Sequence, residues 1–282
     1  MRSTAKHLDR DGVESSHINK EKSRKNIYWN RYDGEYNGTS FLKMKFTDVE
    51  KRFYKETFEN YIQDRNLRAI KQGHRERMTS VNKMISNRNT MAQETILQVG
   101  STKSNQVVKP EDLWEIWRSF KKWHEEKFPQ IMLLDCALHV DESYPHLHYR
   151  QVYVYENNGI LQVGQEKCLS QMNIELPDKS KKRGRFNNRK QTYSYMVRER
   201  FIELCNEKGY EIIEEALKYR RHNMTKEELM VDELKRELKC LVKEKRKKQK
   251  EIKYIDYFNE YVKEIETEVE RERIKQRDKG RG

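Results

Sequence analysis

The sequence has few cysteines and no long apolar run. Its 282 residues include four cysteines, Cys136, Cys168, Cys205 and Cys240, which lie far apart and form no Cys-x-x-Cys pair. This spacing argues against a disulfide framework and against a cysteine-ligated zinc site, and it favours a reducing compartment. No apolar stretch approaches the ~20 residues that a membrane helix needs. The N-terminus, MRSTAKHLDRDG, lacks the apolar core of a signal peptide, so we expect an intracellular protein without a membrane segment.

The charge of the chain is strongly basic. Lysine and arginine number 59 against 46 aspartates and glutamates, which gives a formal net charge of +13. Residues 226–282 contain 18 basic and 15 acidic side chains, so most of the excess lies in residues 1–225. A basic globular region favours a phosphate-rich partner, because neutralising phosphates releases their counterions. Charge that serves only solubility is the alternative, and composition does not separate the two.

Hydrophobic spacing predicts an α+β domain in residues 1–225. Helices are expected over 47–65, 109–128 and 191–209, where apolar residues recur at helical spacing, and Thr47 and Glu50 have the spacing of a capping box. Short apolar runs predict strands over 94–100, 130–140 and 146–155. This order of elements indicates a mainly antiparallel sheet with flanking helices. Residues 1–40 are polar and rich in turns, and they show no clear period.

Residues 226–282 differ in composition and predict a charged, coiled-coil-like helical tail. Leu234, Leu238 and Leu241 begin a 4-3 apolar spacing that charged residues interrupt further along. The tail could therefore hold two copies of the chain together as a homodimer. A single solvated helix is the alternative, because the seam is patchy.

The stretch HVDESYPHLHYR, residues 139–150, contains three of the eight histidines of the chain. Alternate residues of a strand share a face, so His146 and His148 point the same way. His139 ends the preceding strand and is separated from them by a short connection, so the three imidazoles can converge. Three histidines with open positions suit a catalytic divalent metal, and Asp141 or Glu142 could add a carboxylate. A structural role for all three histidines does not explain this spacing.

The sequence HVDESYPHLHYRQVYVYENNGIL, residues 139–161, closely resembles the HxDExxPHxH motif of the MobV plasmid mobilisation relaxases, also called Mob/Pre plasmid recombination proteins. The segment KHLDRDGVESSHINKEKSRKNIYWN, residues 6–30, resembles their first motif, a histidine followed three residues later by arginine. The resemblance covers about residues 5–215. The histidine motif is highly specific, and the first motif is moderately so.

The resemblance implies a fold, an activity and a site. The fold would be the ferredoxin-like or palm-type antiparallel sheet of His-hydrophobic-His endonucleases, in a bacterial cytoplasmic protein. The activity would be cleavage of one DNA strand at a plasmid transfer origin, with the protein left joined to the 5′ phosphate. His139, His146 and His148 would hold Mn²⁺ or Mg²⁺, with Glu142 as a further ligand. His7 would be the nucleophile and Arg10 would assist beside the phosphate.

Two features of the N-terminal region bear on the nucleophile. Only six residues precede His7, where family members usually have a strand, so we expect a sheet with one strand fewer and a less firmly anchored His7. Tyr28, Tyr32 and Tyr36 are the competing nucleophiles, because histidine and tyrosine both form covalent phosphoryl intermediates. His17 is a lesser candidate.

Basic and aromatic residues in two segments are candidate DNA contacts. Cations would hold the phosphates of the duplex or hairpin beside the nick, and aromatic rings would stack on unpaired bases. Alternatively, the first segment is a half-buried strand and the second a solvated loop. The candidates are Arg24, Lys25, Asn26, Tyr28 and Trp29 in the first segment, and Lys181, Lys182, Arg183 and Arg185 in the second.

Two other classes of function fit the histidine motif. A replication-initiator-type or other metal-dependent nuclease would share the metal site and use a tyrosine. A catalytically inactive DNA-binding relative would keep only a structural metal. The distance from His7 and from the tyrosines to the three histidines separates these classes, since a nucleophile must reach the phosphate that the metal holds.

Overall fold

The computed structural model describes residues 5–10, 18–38, 43–99, 108–142 and 144–212, and single positions between 234 and 267. The chain divides into two compact units, Met1–Glu214 and Glu215–Gly282. In the second unit the described residues, among them Leu234, Leu238 and Leu241, are helical and exposed. The rest of the predicted tail lies outside the described residues, as does His17. Across the described ranges, no helix combines the length and apolarity that a membrane span requires.

The described part of the first unit contains short helices near its N-terminus, then a sheet flanked by longer helices. The helices are α1 (Ala5–Leu8), α2 (Lys20–Ser23), α3 (Phe46–Lys71), α4 (Val81–Ser86), α5 (Pro110–Lys127), α6 (Gln165–Gln171) and α7 (Arg189–Glu207), with a 3₁₀ turn at Arg75–Arg77. The strands are β1 (Ile27–Asn30), β2 (Gly34–Asn37), β3 (Gln93–Gln98), β4 (Ile131–His139), β5 (His146–Asn157) and β6 (Ile160–Val163). The three predicted strands and three predicted helices are all present within a few residues of their expected bounds.

The strands form one antiparallel sheet in the order β2-β1-β4-β5-β3, with β6 paired to the far end of β5. This confirms the predicted α+β class with a mainly antiparallel sheet. The β1–β2 hairpin falls in the segment that showed no period. Its turn is closed by the Asn30 side chain, whose Oδ1 accepts hydrogen bonds from the backbone N–H groups of Tyr32 and Asp33. Gly34 follows at φ +74°, a backbone conformation that glycine adopts readily.

The two faces of the sheet carry separate cores. Leu147, Tyr149 and Tyr153 of β5 pack in the core that includes Trp117 of α5 and Phe201 of α7. The alternating residues of β5 face the other way, where Val152 and Val154 pack with the aromatic residues of α3. Because side chains alternate along a strand, His146, His148 and Arg150 also point to the α3 face.

An irregularity in β4 brings its residues onto the same face. The pairing with β5 shifts between Leu133 and Asp135, which leaves Leu134 as an extra residue. After this bulge Asp135 pairs with Arg150, Ala137 with His148, and His139 with His146. If Leu134 were not extra, the register after it would differ by one residue, and Asp135, Ala137 and His139 would point to the opposite face of the sheet.

A buried ion network fixes α3 against the sheet beside the histidines. Arg150 donates to both carboxylate oxygens of Asp135, at 2.8 and 2.6 Å, and to Glu50 of α3 at 2.6 Å. Its guanidinium also donates to the Phe46 carbonyl at 2.8 Å. Burial raises the pKa of Asp135 to about 6, although the Arg150 charge and hydrogen bonds oppose this rise. Glu50 therefore binds Arg150 of the sheet, and the predicted capping box with Thr47 is wrong. Helix α3 begins at Phe46, and its N-cap residue, Lys45, makes no side-chain capping hydrogen bond.

Candidate active site

The three histidines of the motif meet at the end of β4 and the start of β5. His139 pairs directly with His146, and His148 follows on the same face of β5. The ring centroids are 5.4 Å apart for His139 and His146, 4.9 Å for His139 and His148, and 4.8 Å for His146 and His148. One ring nitrogen of each lies within 4.8 Å of the others, a spacing that fits one bound metal ion.

One ring nitrogen of each imidazole forms a hydrogen bond to an oxygen of the protein. His139 Nε2 lies 2.8 Å from the Leu8 carbonyl, and His146 Nδ1 lies 2.8 Å from the Tyr144 carbonyl. His148 Nδ1 lies 2.5 Å from Oε1 of Glu94. A carbonyl or carboxylate oxygen only accepts, so each of these nitrogens carries the proton. A neutral imidazole that carries its proton on this nitrogen has a lone pair on the second nitrogen, which is the form that binds a metal.

The second ring nitrogen of His139, Nδ1, indicates whether these residues suit a bound metal ion. His139 Nδ1 is buried and has no hydrogen-bond partner among the residues that the structure describes, which is costly unless another atom takes its lone pair. Burial and the nearby Arg10 charge lower the pKa of His139 to about 2, and burial also lowers the pKa of His146. Both rings are therefore neutral at physiological pH. The donor set fits a divalent metal.

The two carboxylates of the motif have different environments. Asp141 is 2 % exposed, and its oxygens accept hydrogen bonds from Arg10, from Ser23 Oγ at 2.6 Å and from Asn26 Nδ2 at 2.9 Å. Burial raises the pKa of Asp141, but these hydrogen bonds outweigh burial and hold the pKa below its usual range. Glu142 is less buried, and its Oε2 lies 4.0 Å from His146 Nε2. Both carboxylates lie within 4.8 Å of a ring nitrogen of His139. Glu142 also approaches His146, whereas the oxygens of Asp141 are engaged by Arg10, Ser23 and Asn26, so Glu142 is the better candidate ligand.

His7 lies beside this cluster. Its ring centroid is 6.3 Å from that of His139, with the two planes nearly perpendicular. The segment is anchored directly after His7, because Leu8 is fully buried and the Asp9 carboxylate accepts the backbone N–H of Phe46 at 2.8 Å. Residues Ala5–Leu8 are helical. Contacts of Leu8 and Asp9 therefore hold His7 beside the cluster.

Arg10 links His7 to the motif carboxylates. Its guanidinium donates to Asp141 at 3.0 and 2.7 Å and to Glu142 at 2.9 Å. Its Nη1 also lies 3.4 Å from His7 Nε2 and donates to the His7 carbonyl at 3.2 Å. Arg10 has φ +59°, a left-handed conformation that non-glycine residues rarely adopt. This conformation is held by the ion pairs and directs the guanidinium toward the histidines.

The three competing tyrosines are less suited to attack a phosphate. Burial raises the pKa of Tyr28 to about 12, despite its hydrogen bond with Asn26. Burial also raises the pKa of Tyr36, whose ring stacks on that of Tyr28. Burial and a hydrogen bond to Glu56 raise the pKa of Tyr32 to about 12. In each case the phenolate that would act as nucleophile is disfavoured.

Burial removes three residues from the candidate DNA contacts. Asn26 is fully buried and bonds to Asp141 and to the backbone of Val140, so it supports the site from inside. Tyr28 and Trp29 are 5 % and 9 % exposed, and their rings pack in the two adjoining cores. The half-buried strand explains these residues better than base stacking does. Arg24 and Lys25 are exposed at the start of the same segment.

The basic loop, which we define as Lys181, Lys182, Arg183 and Arg185, is exposed. Its Arg183 pairs with Glu166 of α6, and α6 follows β6, which pairs with the far end of β5. The loop precedes α7, whose Lys190 hydrogen bonds to Tyr153 of β5. Tyr153 lies five residues beyond His148, roughly 17 Å along the strand, so these contacts connect the loop to the part of β5 that leads away from the three histidines.

Glu94 is a site residue that sequence patterns did not identify. It lies on β3 and accepts the Nδ1 proton of His148. Strand β3 was predicted, and alternation along it places Glu94, Ile96 and Gln98 on one face. However, the sequence does not reveal that β3 pairs with β5, and only this pairing brings Glu94 close to the motif.

Comparisons with known proteins agree with this geometry at the family level. The family model described as plasmid recombination enzyme, Mob_Pre, matches residues 39–227. Two solved structures of the MobM relaxase domain (MOBV; Mob_Pre), Mn-bound and with 22-nucleotide pMV158 oriT DNA, superpose at TM-scores of 0.44 and 0.46. They are 16 % and 14 % identical in sequence, and the alignments cover 80 % and 81 % of this chain and 90 % of each of those chains. No curated protein matches the sequence.

Proposed function

The chain belongs to the plasmid recombination enzyme family Mob_Pre, and from this premise we propose that it is a metal-dependent DNA relaxase. It nicks one strand at a plasmid transfer origin and remains joined to the 5′ phosphate, which permits conjugative mobilisation. The observation that carries this proposal is the convergence of three imidazole lone pairs beside His7. An arrangement of this kind brings a metal and a nucleophile to one phosphate.

The metal would be held by His139, His146 and His148, with Glu142 as a further ligand. Mn²⁺ and Mg²⁺ are the proposed metals, and the MobM relaxase structures are Mn-bound. When bound, the metal would polarise the scissile phosphodiester and neutralise charge that develops on its oxygens. Glu94 and the carbonyls of Leu8 and Tyr144 keep the imidazoles in the tautomers that bind it.

His7 is the proposed nucleophile. A lone pair of its imidazole attacks phosphorus, the new N–P bond forms, and the bond from phosphorus to the 3′ oxygen breaks. The released 3′ oxygen gains a proton as a 3′-hydroxyl, and the imidazole loses its N–H proton, so the step is balanced. The phosphoryl group stays on the protein as a phosphoramidate, and the reverse attack by a 3′-hydroxyl rejoins the strand.

Arg10 prepares His7 for this step. Arginine has no acceptor, so its approach to His7 Nε2 requires that this nitrogen present a lone pair. As the phosphate enters, the same guanidinium is close enough to donate to its oxygens. Asp141 keeps Arg10 in position during these changes.

The partner is plasmid DNA at the transfer origin, with a single-stranded nick region beside duplex or hairpin. Arg24, Lys25 and the basic loop are the proposed phosphate contacts, and their exposure supports this role. Residues 1–225 would form the nicking domain. Residues 226–282 would form a helical tail that joins two copies of the chain.

A nicking assay tests the proposal. Supercoiled plasmid carrying its own origin is incubated with Mn²⁺ and the wild type, His7→Ala or His146→Ala. His74→Ala serves as the control for loss of a histidine, because the His74 side chain is partly exposed. We expect the wild type and His74→Ala to relax the plasmid and to leave protein on the 5′ end, and the other two variants to be inactive.

The alternative outcomes are distinct. Relaxation that survives His7→Ala and fails in His146→Ala would keep the metal site and reassign the nucleophile to a tyrosine. Failure of the wild type on its own origin, with Mn²⁺ bound, would overturn the relaxase proposal.

A further inference from the structure

An exposed isoleucine lies directly beside the histidines. Ile96 of β3 is 56 % exposed, although it is a large apolar residue on a sheet. It pairs with His148 across the β3–β5 ladder, so its side chain points to the same face as the metal-binding residues. Paired residues of an antiparallel ladder have Cβ atoms roughly 5 Å apart. Ile96 is therefore among the nearest neighbours of His148.

Exposure alone would mean little, because single exposed apolar residues are common on protein surfaces. The position of Ile96 distinguishes it. Its neighbours on the same face of β3 are Glu94 and Gln98, and the groups around the histidines are mostly charged or polar. Strand β3 is also the last strand of the sheet within the described residues, so a ligand can approach Ile96 from the side. The site thus presents cations to one part of a ligand and an apolar surface to another.

A nucleotide has both a charged part and an apolar part. Its phosphate takes charged partners, for which Arg10 and the metal-binding residues are suited. The attached base and sugar lie within one nucleotide of the phosphate and offer apolar faces. Gln98 pairs with His146 and is exposed on the same face, and a glutamine amide matches the hydrogen-bonding edges of a base.

We propose that Ile96 and Gln98 form a subsite for the nucleoside adjoining the scissile phosphate. Ile96 packs against the base or its sugar, and Gln98 contacts the base edge. This inference rests on the proposed relaxase function and names the residues that fix the nucleotide beside the metal site. The subsite holds the base so that the phosphate stays between the histidines and His7.

A scan with abasic nucleotides tests the subsite. Oligonucleotides of the origin strand carry a single abasic residue at each position around the nick, and binding is measured in Mn²⁺ for the wild type and Ile96→Ser. We expect one position next to the nick at which the abasic residue weakens wild-type binding about tenfold. Ile96→Ser should bind the intact strand about tenfold more weakly and lose sensitivity at that position only.

Ile70→Ser is the matched control, because Ile70 of α3 is 49 % exposed and is the same residue type. Both variants should retain Mn²⁺ affinity, which shows that the histidines are undisturbed. If Ile96→Ser binds and responds like the wild type while the wild type nicks its origin, the subsite is wrong and the relaxase proposal stands. If the wild type neither binds nor nicks its origin, both fall together.

Discussion

At the scale of single residues, the chemistry of the site is set by what each imidazole already binds. His139, His146 and His148 use one nitrogen each for an oxygen of the protein, and this fixes which nitrogen is left. Two of the three oxygens are backbone carbonyls, which substitution does not remove. The third belongs to Glu94, so this contact is the one that a substitution can test.

Replacing Glu94 by glutamine should weaken metal binding without unfolding the protein. A glutamine can donate as well as accept, so it no longer requires the proton to be on His148 Nδ1, and the metal must compete with the other tautomer. We expect a loss of Mn²⁺ affinity on the order of 10-fold, and of up to 100-fold for Glu94→Ala. Isothermal titration calorimetry with Mn²⁺ measures the change.

The control is Glu76→Gln. Glu76 forms the same type of contact with the partly exposed His74, at 3.2 Å, beyond the C-terminal end of α3. Unchanged Mn²⁺ affinity in Glu94→Gln, or an equal loss in Glu76→Gln, would show that Glu94 does not orient a ligand.

Much of the site was accessible from the sequence because it depends on local spacing. Alternation along a strand is enough to put His146 and His148 on one face, and the short connection brings His139 to them. The contributions of Glu94 and Ile96 were not accessible, because they depend on β3 pairing with β5. The burial of Asn26, Tyr28 and Trp29 was missed for a related reason. Their segment has no apolar period, and its burial follows from pairing between β1 and β4.

At the scale of elements, the bulge in β4 decides which face carries the chemistry. Residues 131–138 predict a buried strand and, apart from Asp135, are apolar on both faces, so the sequence does not reveal where the register shifts. The structure shows that the shift at Leu134 brings Asp135 to Arg150 and His139 to His146. The same shift places the residues of the α3 ion network and the three histidines on one face of the sheet.

Helices α5 and α7 are joined on the opposite face by a buried histidine that should make stability depend on pH. His124 Nε2 lies 2.7 Å from the Tyr193 hydroxyl, which donates to Gln151 at 2.8 Å. Burial, with a smaller effect of the Lys190 charge, lowers the pKa of His124 to about 3. An unfolded histidine titrates near ~6.5, so below that pH the unfolded state binds a proton that the folded state does not. The stability that neutral His124 contributes is therefore present above about pH 6.5 and is lost as pH falls toward 3.

For this one residue, the free energy of unfolding should fall by about 1.4 kcal/mol for each unit by which the pH falls. The free energy of unfolding of metal-free protein is measured in urea at about pH 6 and at about pH 4.5. The decrease between these two pH values should be about 2 kcal/mol larger in the wild type than in His124→Gln. His139 and His146 add to the slope in both proteins and cancel in the comparison. His74→Gln controls for removal of a histidine. Equal slopes in the wild type and His124→Gln would refute the assignment.

At the scale of the whole molecule, the proposed tail would give the chain a second interaction surface. Leu234, Leu238 and Leu241 of the second unit are 63 %, 62 % and 61 % exposed, and their 4-3 spacing matches a coiled-coil seam. We expect sedimentation equilibrium to show a dimer for the full chain and a monomer for Leu238→Lys. Val242→Lys adds the same charge one position outside the seam and should remain dimeric. A monomeric wild type at micromolar concentration would leave the tail as a single solvated helix.

The charge of the first unit should appear in the salt dependence of DNA binding. The basic loop precedes α7, whose Lys190 contacts Tyr153 of β5 five residues beyond His148, so we expect the loop to contact duplex or hairpin phosphates away from the nick. Each phosphate contact contributes about 0.9 to the slope of log affinity against log salt, so replacing all four cations by glutamine should reduce the slope by about 3 to 4. Nicking at saturating DNA should remain, because the four cations are not part of the proposed site at His7.

A control variant with the same change in net charge separates contact from general electrostatics. It replaces four exposed cations around the end of α3, namely Lys71, Arg75, Arg77 and Arg88. This variant should lower affinity slightly and leave the slope within about one unit of wild type, since distant charges act through a screened field. Equal slopes in the two variants would mean that the basic loop is only solvated and that other residues hold the duplex. A selective fall in the slope of the loop variant would show that the DNA extends from the histidines to the far end of β5.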